Sequence, residues 1–288
     1  MSLTPIRGIL QNLAAPVAEP GDYSDEQGFL VCGKCRTRKQ CELEDPEKVL
    51  SDGTWRPRIP CECEQAEIER EEQREAREKF VQRMEVLQRD GITDPAYLRY
   101  TFEQDDRRDP EVSDVCQKYV DSWDEMRANN IGILLYGDIG TGKSFLACCI
   151  ANALLERLVS VSVTNFPRLL SQLQKSFDDE RQGIIDRLQR YSLLVIDDLG
   201  VERDTAYGFE QMYNIIDTRA RSGKPLIATT NLSMKDLQSG DLTLEQRRIY
   251  DRVLEMCPIR LKMVGESRRI ENANDKRNKA RRLLGLDG

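Results

Sequence analysis

Gly137-Asp138-Ile139-Gly140-Thr141-Gly142-Lys143-Ser144 meets the phosphate-loop pattern G-x4-G-K-[ST] at every defined position. Its flanks decide the fold. Ile131–Tyr136 (I-G-I-L-L-Y) is a short apolar run with the character of a buried strand, and Phe145–Arg157 has the spacing of an amphipathic helix. Strand, glycine loop and helix N-terminus in that order make an anion cradle. The glycines let successive amides turn toward phosphates, and the helix start adds partial positive charge. In such a cradle Lys143 reaches the β and γ phosphates of ATP, and the Ser144 hydroxyl ligates Mg2+. A glycine-rich turn ahead of a core helix is the plain alternative, but it leaves the match of both flanks unexplained.

Downstream, strands and helices alternate. Val159–Thr164 (V-S-V-S-V-T) reads as a strand and Phe166–Phe177 as a helix with Leu169, Leu170 and Leu173 on one face. Leu193–Gly200 (L-L-V-I-D-D-L-G) is a buried strand ending in two carboxylates. A carboxylate at the end of a strand beside the phosphate-loop strand can reach the Mg2+ shell, which assigns Asp197 to the metal and Asp198 to polarising an attacking water. An acidic turn after a core strand is the plainer reading of the same pair. Thr205–Ser222 is predicted helical, stopped by Gly223-Lys224-Pro225. The strand Leu226–Thr230 then ends at Asn231, whose amide is placed to position the lytic water. Apolar strands alternating with helices predict an α/β fold, a parallel sheet covered on both faces.

The 288 residues, 39% hydrophobic and 32% charged, suit a soluble chain with a large and a small domain. A formal charge of -7 argues against a broadly basic nucleic-acid surface. No run is long enough to span a membrane and the N-terminus lacks a signal pattern, so the expected location is cytoplasmic with no membrane partner. There is no histidine. That excludes Ser-His and Cys-His catalysis and leaves the chemistry to carboxylates, Lys, Arg, Cys and metal.

Five of the nine cysteines crowd the N-terminal segment, as L-V-C-G-K-C-R-T-R-K-Q-C, a polar loop containing Asp52-Gly53, then I-P-C-E-C. The C-x2-C turn, with Gly33 permitting it, faces two thiolates toward one tetrahedral ion, and a second pair closes the site. Cys32, Cys35, Cys61 and Cys63 are the candidate Zn2+ ligands, with Cys41 able to replace one of the second pair. The second pair is C-x-C, a departure from the usual ribbon. Disulfides are the rival reading, disfavoured in a reducing compartment. With all four positions filled by protein the zinc is structural, and it compensates for a segment poor in large apolar residues. Cys116, Cys148, Cys149 and Cys257 read as small core hydrophobes.

Between these parts Glu62–Asp90 is dense in Glu, Arg and Gln and reads as one solvated helix, with Phe80, Val81, Met84 and Leu87 a short apolar stripe near its end. Gly91–Pro95 breaks it, Tyr97–Pro110 is the junction, and Glu111–Asn129 is predicted as a further helix. The expected domains are 1–65 for zinc, 66–96 for the charged linker and 97–288 for the ATPase.

G-D-I-G-T-G-K-S, L-L-V-I-D-D-L-G, A-T-T-N-L, R-R-I-Y-D-R-V and G-E-S-R-R, in that order, resemble the AAA+ helicase loaders of the DnaC and DnaI type. The IstB-type helper ATPases of insertion sequences share them. With its cysteine segment the chain is similar to DnaC-like proteins of phages and integrative elements. The resemblance implies an AAA+ fold, Mg2+-dependent ATP hydrolysis, an ATP-dependent homo-oligomer, and as partners a DnaB-type replicative helicase and single-stranded DNA, while the shorter acid Asp198 makes slow hydrolysis the expectation. It also implies a trans-acting arginine finger at Arg252, or else Arg248, and a second sensor at Arg269 in preference to Arg268. Asp198 departs from the Glu of many AAA+ proteins, which keeps open an adaptor that binds ATP without turnover. Phe166–Arg190 occupies the place of helices that line a DNA channel, with Lys175, Arg181, Arg187 and Arg190 and the rings of Phe166 and Phe177 as candidate contacts. A plain lid helix is the alternative there. The basic tail Lys276–Arg282 reads as a solvated end. The rival function is a transposition helper that binds duplex DNA and delivers it to a transposase.

Overall fold

The computed structural model describes residues 18–44, 54–200 and 206–284, so the Asp52-Gly53 loop lies outside the described residues. The chain divides between Val81 and Gln82 into two compact units.

The first unit has very little regular structure. Strand β1 (Tyr23–Ser24) pairs with β2 (Leu30–Val31), β3 (Leu43–Glu44) pairs with β4 (Thr54–Trp55), and helix α1 (Glu62–Gly91) begins here. Its buried apolar set is small, chiefly Phe29, Val31, Cys32 and Cys61. Polar contacts supply the rest. The Phe29 ring lies under the guanidinium groups of Arg38 and Arg56, 4.1 and 4.2 Å from its centroid. Lys39 is wholly buried, and its ammonium donates to Glu19 at 3.0 Å and Asp22 at 2.9 Å and lies 3.1 Å from Glu64. A buried charge is tolerated only when it is paired and hydrogen-bonded. These partners push the Lys39 ammonium above the usual lysine range, while the backbone amide of Glu19 and the Lys39 side chain bring Asp22 down to about 2.

The second unit contains the sheet. Short 3-10 turns (Tyr97–Arg99 and Phe102–Gln104) lead to α2 (Pro110–Asp121) and α3 (Trp123–Ala128), then β5 (Ile133–Gly137), α4 (Lys143–Glu156), β6 (Val161–Asn165), α5 (Phe166–Lys175) and α6 (Asp178–Arg190). After these come β7 (Leu193–Leu199), α7 (Ala206–Arg221), β8 (Leu226–Thr230), α8 (Met234–Leu237), α9 (Leu244–Met256), β9 (Ile259–Met263) and α10 (Arg268–Leu283). The five strands run parallel in the order β6-β7-β8-β5-β9.

Alternation along the strand explains why the runs Ile133–Leu135 of β5, Leu193–Ile196 of β7 and Leu226–Ala228 of β8 are apolar throughout, unlike β6 with Ser162 and Thr164 and β9 with Arg260 and Lys262. Leu134, Leu194, Ile196 and Ala228 pack in one core with residues of α5, α7 and α9, while Ile133, Leu135, Val161, Val195 and Ile227 pack in the other with α2 and α4. Successive side chains point to opposite faces and both faces are covered, so every position favours an apolar residue. This is the doubly covered parallel sheet that the sequence predicts. One helix differs from expectation. Glu111–Asn129 is two pieces, because Ser122 leaves helical geometry (φ -97°, ψ 23°), and beyond it Trp123 is buried with its ring 6.1 Å from that of Tyr119.

Candidate nucleotide site and candidate metal centre

The carboxyl ends of β5, β7 and β8 and the start of α4 surround a cleft of about 570 Å³ lined by Gly140, Gly142, Lys143, Ser144, Asp197, Asp198, Asn231, Arg268 and Arg269 among others. Gly140 has φ +81°, and a Cβ there would sit 2.1 Å from the Ser267 hydroxyl, so this turn admits no side chain. The loop is tied to the segment after β9. Asp138 N donates to Met263 O at 3.0 Å, Gly265 N to the Asp138 carboxylate at 3.3 Å, and Arg268 N to Gly140 O at 3.0 Å. Within the loop the Thr141 hydroxyl donates to Asp138 O at 2.9 Å. Ile139 is 64% exposed at the rim.

Lys143 is 5% exposed and donates to the carbonyls of Gly137 at 3.0 Å and Asp138 at 2.6 Å. Burial lowers its pKa below the usual lysine range, opposed by the charges of Asp198, Asp138 and Asp197. A buried ammonium beside a left-handed glycine turn and a helix N-terminus is a fitting environment for a polyphosphate.

On a regular strand Asp197 and Asp198 would face opposite sides, yet both line the cleft. The backbone accounts for this. Asp198 is left-handed (φ +57°), the β7–β8 register slips between Ile196 and Leu199, and the Asp198 amide donates to the Thr229 hydroxyl at 3.0 Å. Aspartate tolerates that conformation better than most residues. Asp197 is 4% exposed and accepts from Thr229 at 2.6 Å and from the Tyr97 hydroxyl at 3.0 Å. Burial and the neighbouring Asp197 charge raise the pKa of Asp198, while Arg269 and Lys143 pull it down. The donor set of a serine hydroxyl and a buried carboxylate, all oxygen, fits Mg2+.

The two arginines of G-E-S-R-R differ. Arg268 pairs with Asp106 at 2.9 Å, whereas Arg269 makes no ion pair among the described residues and its charge is felt by both Asp198 and Lys143. Arg248 and Arg252 stand outside the cleft on α9. Arg252 lies 3.3 Å from Asp217 and pairs with Glu255 at 2.8 Å, and Arg248 is exposed beside Phe209 and Tyr213.

Phe166 needs correcting as a candidate stacking ring. It is wholly buried under β7, as the first residue of a helix capped by the Asn165 side chain. Phe177, by contrast, is 81% exposed, with Lys175, Arg187 and Arg190 also exposed. Tyr97, Tyr100, Gln104, Asp106, Arg108 and Phe145 complete the cleft wall, and sequence reasoning gave none of them a role. The stretch 97–108 is too irregular for periodicity to place.

In the first unit the Sγ atoms of Cys32, Cys35, Cys61 and Cys63 all lie within 4.8 Å of one another. Cys32 and Cys63 are 3.5 Å apart and Cys61 and Cys63 3.2 Å, too far for a disulfide. Tetrahedral zinc with bonds of about 2.3 Å would hold sulfurs roughly 3.8 Å apart, so the cluster fits the ion. Cys41 stands outside it. The left-handed residue of the knuckle is Arg36 (φ +61°), not Gly33. Gly33 is required for close approach, since a Cβ there would meet the Gly21 carbonyl at 2.1 Å.

The short C-x-C spacing also has a cause. Cys61 immediately precedes α1 and Cys63 lies in its first turn, so the helix start presents both sulfurs and its dipole favours thiolates. The Thr37 side chain lowers Cys35 to about 5, while crowding by Cys61 and Cys32 pushes Cys63 up to about 12. A divalent cation relieves that repulsion. Elemental analysis of protein purified without chelator is expected to find about one zinc per chain, and the double variant Cys32→Ser, Cys35→Ser to lose it while the second unit still binds ATP. Metal-free wild-type protein would contradict the assignment.

Comparison with known proteins agrees with this geometry. The model of the IstB-like ATP binding protein family matches residues 68–276. The replicative helicase loader DnaI of Bacillus subtilis (strain 168) is 26% identical over 257 residues, covering 83% of this chain and 78% of DnaI. The replicative helicase loader DnaC of Escherichia coli (strain K12) is 28% identical over 138 residues, covering 46% of this chain and 55% of DnaC. With an uncharacterized Escherichia coli protein included, the matches span 55% to 78% of the relative's own length. A crystal structure of DnaI superposes with a TM-score of 0.52 at 22% identity, covering 62% of this chain and 95% of that one, which shows that the two share a fold. Among the described residues no helix is long and apolar enough to cross a membrane. A family model that spans well over half of the sequence, on a sheet with a complete phosphate loop, places this chain in the IstB-like ATP-binding protein family.

Proposed function

We propose that this protein is an ATP-dependent loader that places a hexameric replicative helicase of the DnaB type on single-stranded DNA, in the replication of a phage or mobile element. The observation that supports it most is the cleft. It combines a phosphate loop, two carboxylates turned to the same side and Arg269, while Arg248 and Arg252 are not among the described residues that line it. In this reading Lys143 and the loop amides bind the ATP phosphates, Ser144 and Asp197 hold Mg2+, and Asp198 and Asn231 orient the attacking water. Mg2+ neutralises charge on the phosphates when bound.

Asp198 is the shorter acid, which reaches the attacking water less closely than a glutamate would, so hydrolysis is slow, as suits a switch. Arg252 reaches the nucleotide of the next subunit in an ATP-dependent assembly, leaving its partners Asp217 and Glu255. The zinc unit, joined through α1, is the element that grips the helicase. The relation to DnaI covers 78% of that loader's length, which favours a loader over an ATPase module alone.

The family's description keeps a second reading in view, a helper that binds duplex DNA for a transposase. The two are separated by binding of the host's purified replicative helicase to immobilised protein with and without ATP. Helicase retention supports the loader. No retention, with ATP-dependent binding of duplex DNA, supports the helper.

A further inference from the structure

Asp197 is held from two sides by hydroxyl groups. Thr229 donates to Oδ1 at 2.6 Å and Tyr97 to Oδ2 at 3.0 Å. The carboxylate is almost fully buried, and these two bonds offset the loss of its water. An ionised carboxylate offers about four lone-pair sites, so both hydroxyls can bond while lone pairs remain for a cation. A tyrosine phenol is protonated at neutral pH, so Tyr97 is a proton donor to this carboxylate.

The backbone that carries this phenol is clamped at both ends. Before it, Ile92 bridges to Val163 of β6, the Thr93 amide and hydroxyl donate to Val163 O at 3.4 and 3.0 Å, and the Tyr191 hydroxyl donates to Asp90 O at 2.6 Å. After it, Asn152 of α4, the helix that begins with Lys143, donates to the carbonyls of Tyr97 and Tyr100 at 2.8 Å each. The phenol is therefore aimed by the edge strand of the sheet and by the phosphate-loop helix together. A donor so fixed restricts rotation of the carboxylate it touches.

We propose that Tyr97 is a positioning residue that orients the Asp197 carboxylate for Mg2+ and so sets the Mg2+ affinity of the nucleotide site. The inference rests on the assignment of Asp197 to Mg2+. Groups that orient a metal ligand through hydrogen bonds commonly account for 10–100-fold, that is about one to two decades, in metal affinity.

Tyr97→Phe removes the hydroxyl and keeps the ring that packs 6.2 Å from Tyr100. The test titrates Mg2+ from zero, in EDTA, against binding of a fluorescent ATP analogue to the full-length protein. In EDTA the variant should bind the analogue within about twofold of wild type. The Mg2+ concentration for half-maximal tightening should rise about tenfold. An unchanged Mg2+ midpoint in the variant, with a Mg2+-dependent wild type, overturns the inference and leaves the Asp197 assignment standing. A wild type whose binding ignores Mg2+ overturns both. Equal loss of affinity with and without Mg2+ would make Tyr97 a packing residue and also overturn it.

Discussion

Lys143→Ala is expected to weaken ATP binding by about 10²–10³-fold. The ammonium is almost fully buried and bonds the loop's own carbonyls at 2.6 and 3.0 Å, so it is held within the phosphate loop. A hydrogen bond to a charged group contributes about 1.5–3 kcal/mol, and bridging two phosphates brings the total to roughly 3–4 kcal/mol, about a decade per 1.4 kcal/mol. The fold should persist, because the apolar face of α4 supplied by Leu146, Ile150, Leu154 and Leu155 is untouched. Titration calorimetry with ATP and Mg2+ measures the loss, and affinity retained within threefold would refute the phosphate-loop assignment.

Arg252→Ala should bind ATP as wild type does yet hydrolyse it at least about a hundredfold more slowly, since an arginine supplied to a transferring phosphoryl group is worth about 10³–10⁵ in rate where it has been measured. Its guanidinium pairs with Glu255 and lies near Asp217 on its own chain and touches nothing in the cleft, so its absence leaves the isolated site intact. Mixing discriminates further. A Lys143→Ala subunit binds ATP far more weakly but can lend its Arg252 to an Arg252→Ala neighbour that binds it well. Two inactive variants should therefore recover activity together, and the recovery should rise with protein concentration because assembly follows mass action. Normal hydrolysis by Arg252→Ala alone, or a mixture that stays inactive where wild type associates, would reduce Arg252 to a paired side chain on a helix face.

Much of this architecture is legible in the sequence for a definite reason. A parallel strand buried on both faces is apolar without interruption, so Ile133–Leu135, Leu193–Ile196 and Leu226–Ala228 announce themselves, and the Gly-rich loop and D-D pair end such runs. The four clustered cysteines are legible through spacing, and Cys41 is the one that spacing alone could not exclude. What stays hidden is non-local and irregular. The left-handed backbone at Asp198 that turns both carboxylates to one side has no signal beyond an aspartate that tolerates it. Tyr97 acts on a carboxylate 100 residues away through a stretch with no period. Phe166 looked available because an exposed and a buried ring read alike at a helix start. Lys39 is hidden for the opposite reason: lysine is almost never fully buried, and only Glu19 and Asp22 of one turn and Glu64 of α1 converging on it make it so.

Loading itself is the most direct test of the proposed role. Closed circular single-stranded DNA coated with single-strand-binding protein is incubated with the host's purified hexameric helicase, and helicase retained on the circles is measured by gel filtration. This protein with ATP should raise retention severalfold over helicase alone, and Lys143→Ala and the Cys32→Ser, Cys35→Ser variant should each abolish the gain. Retention that is unchanged by the protein, or that Lys143→Ala supports as well as wild type does, would contradict an ATP-dependent helicase loader.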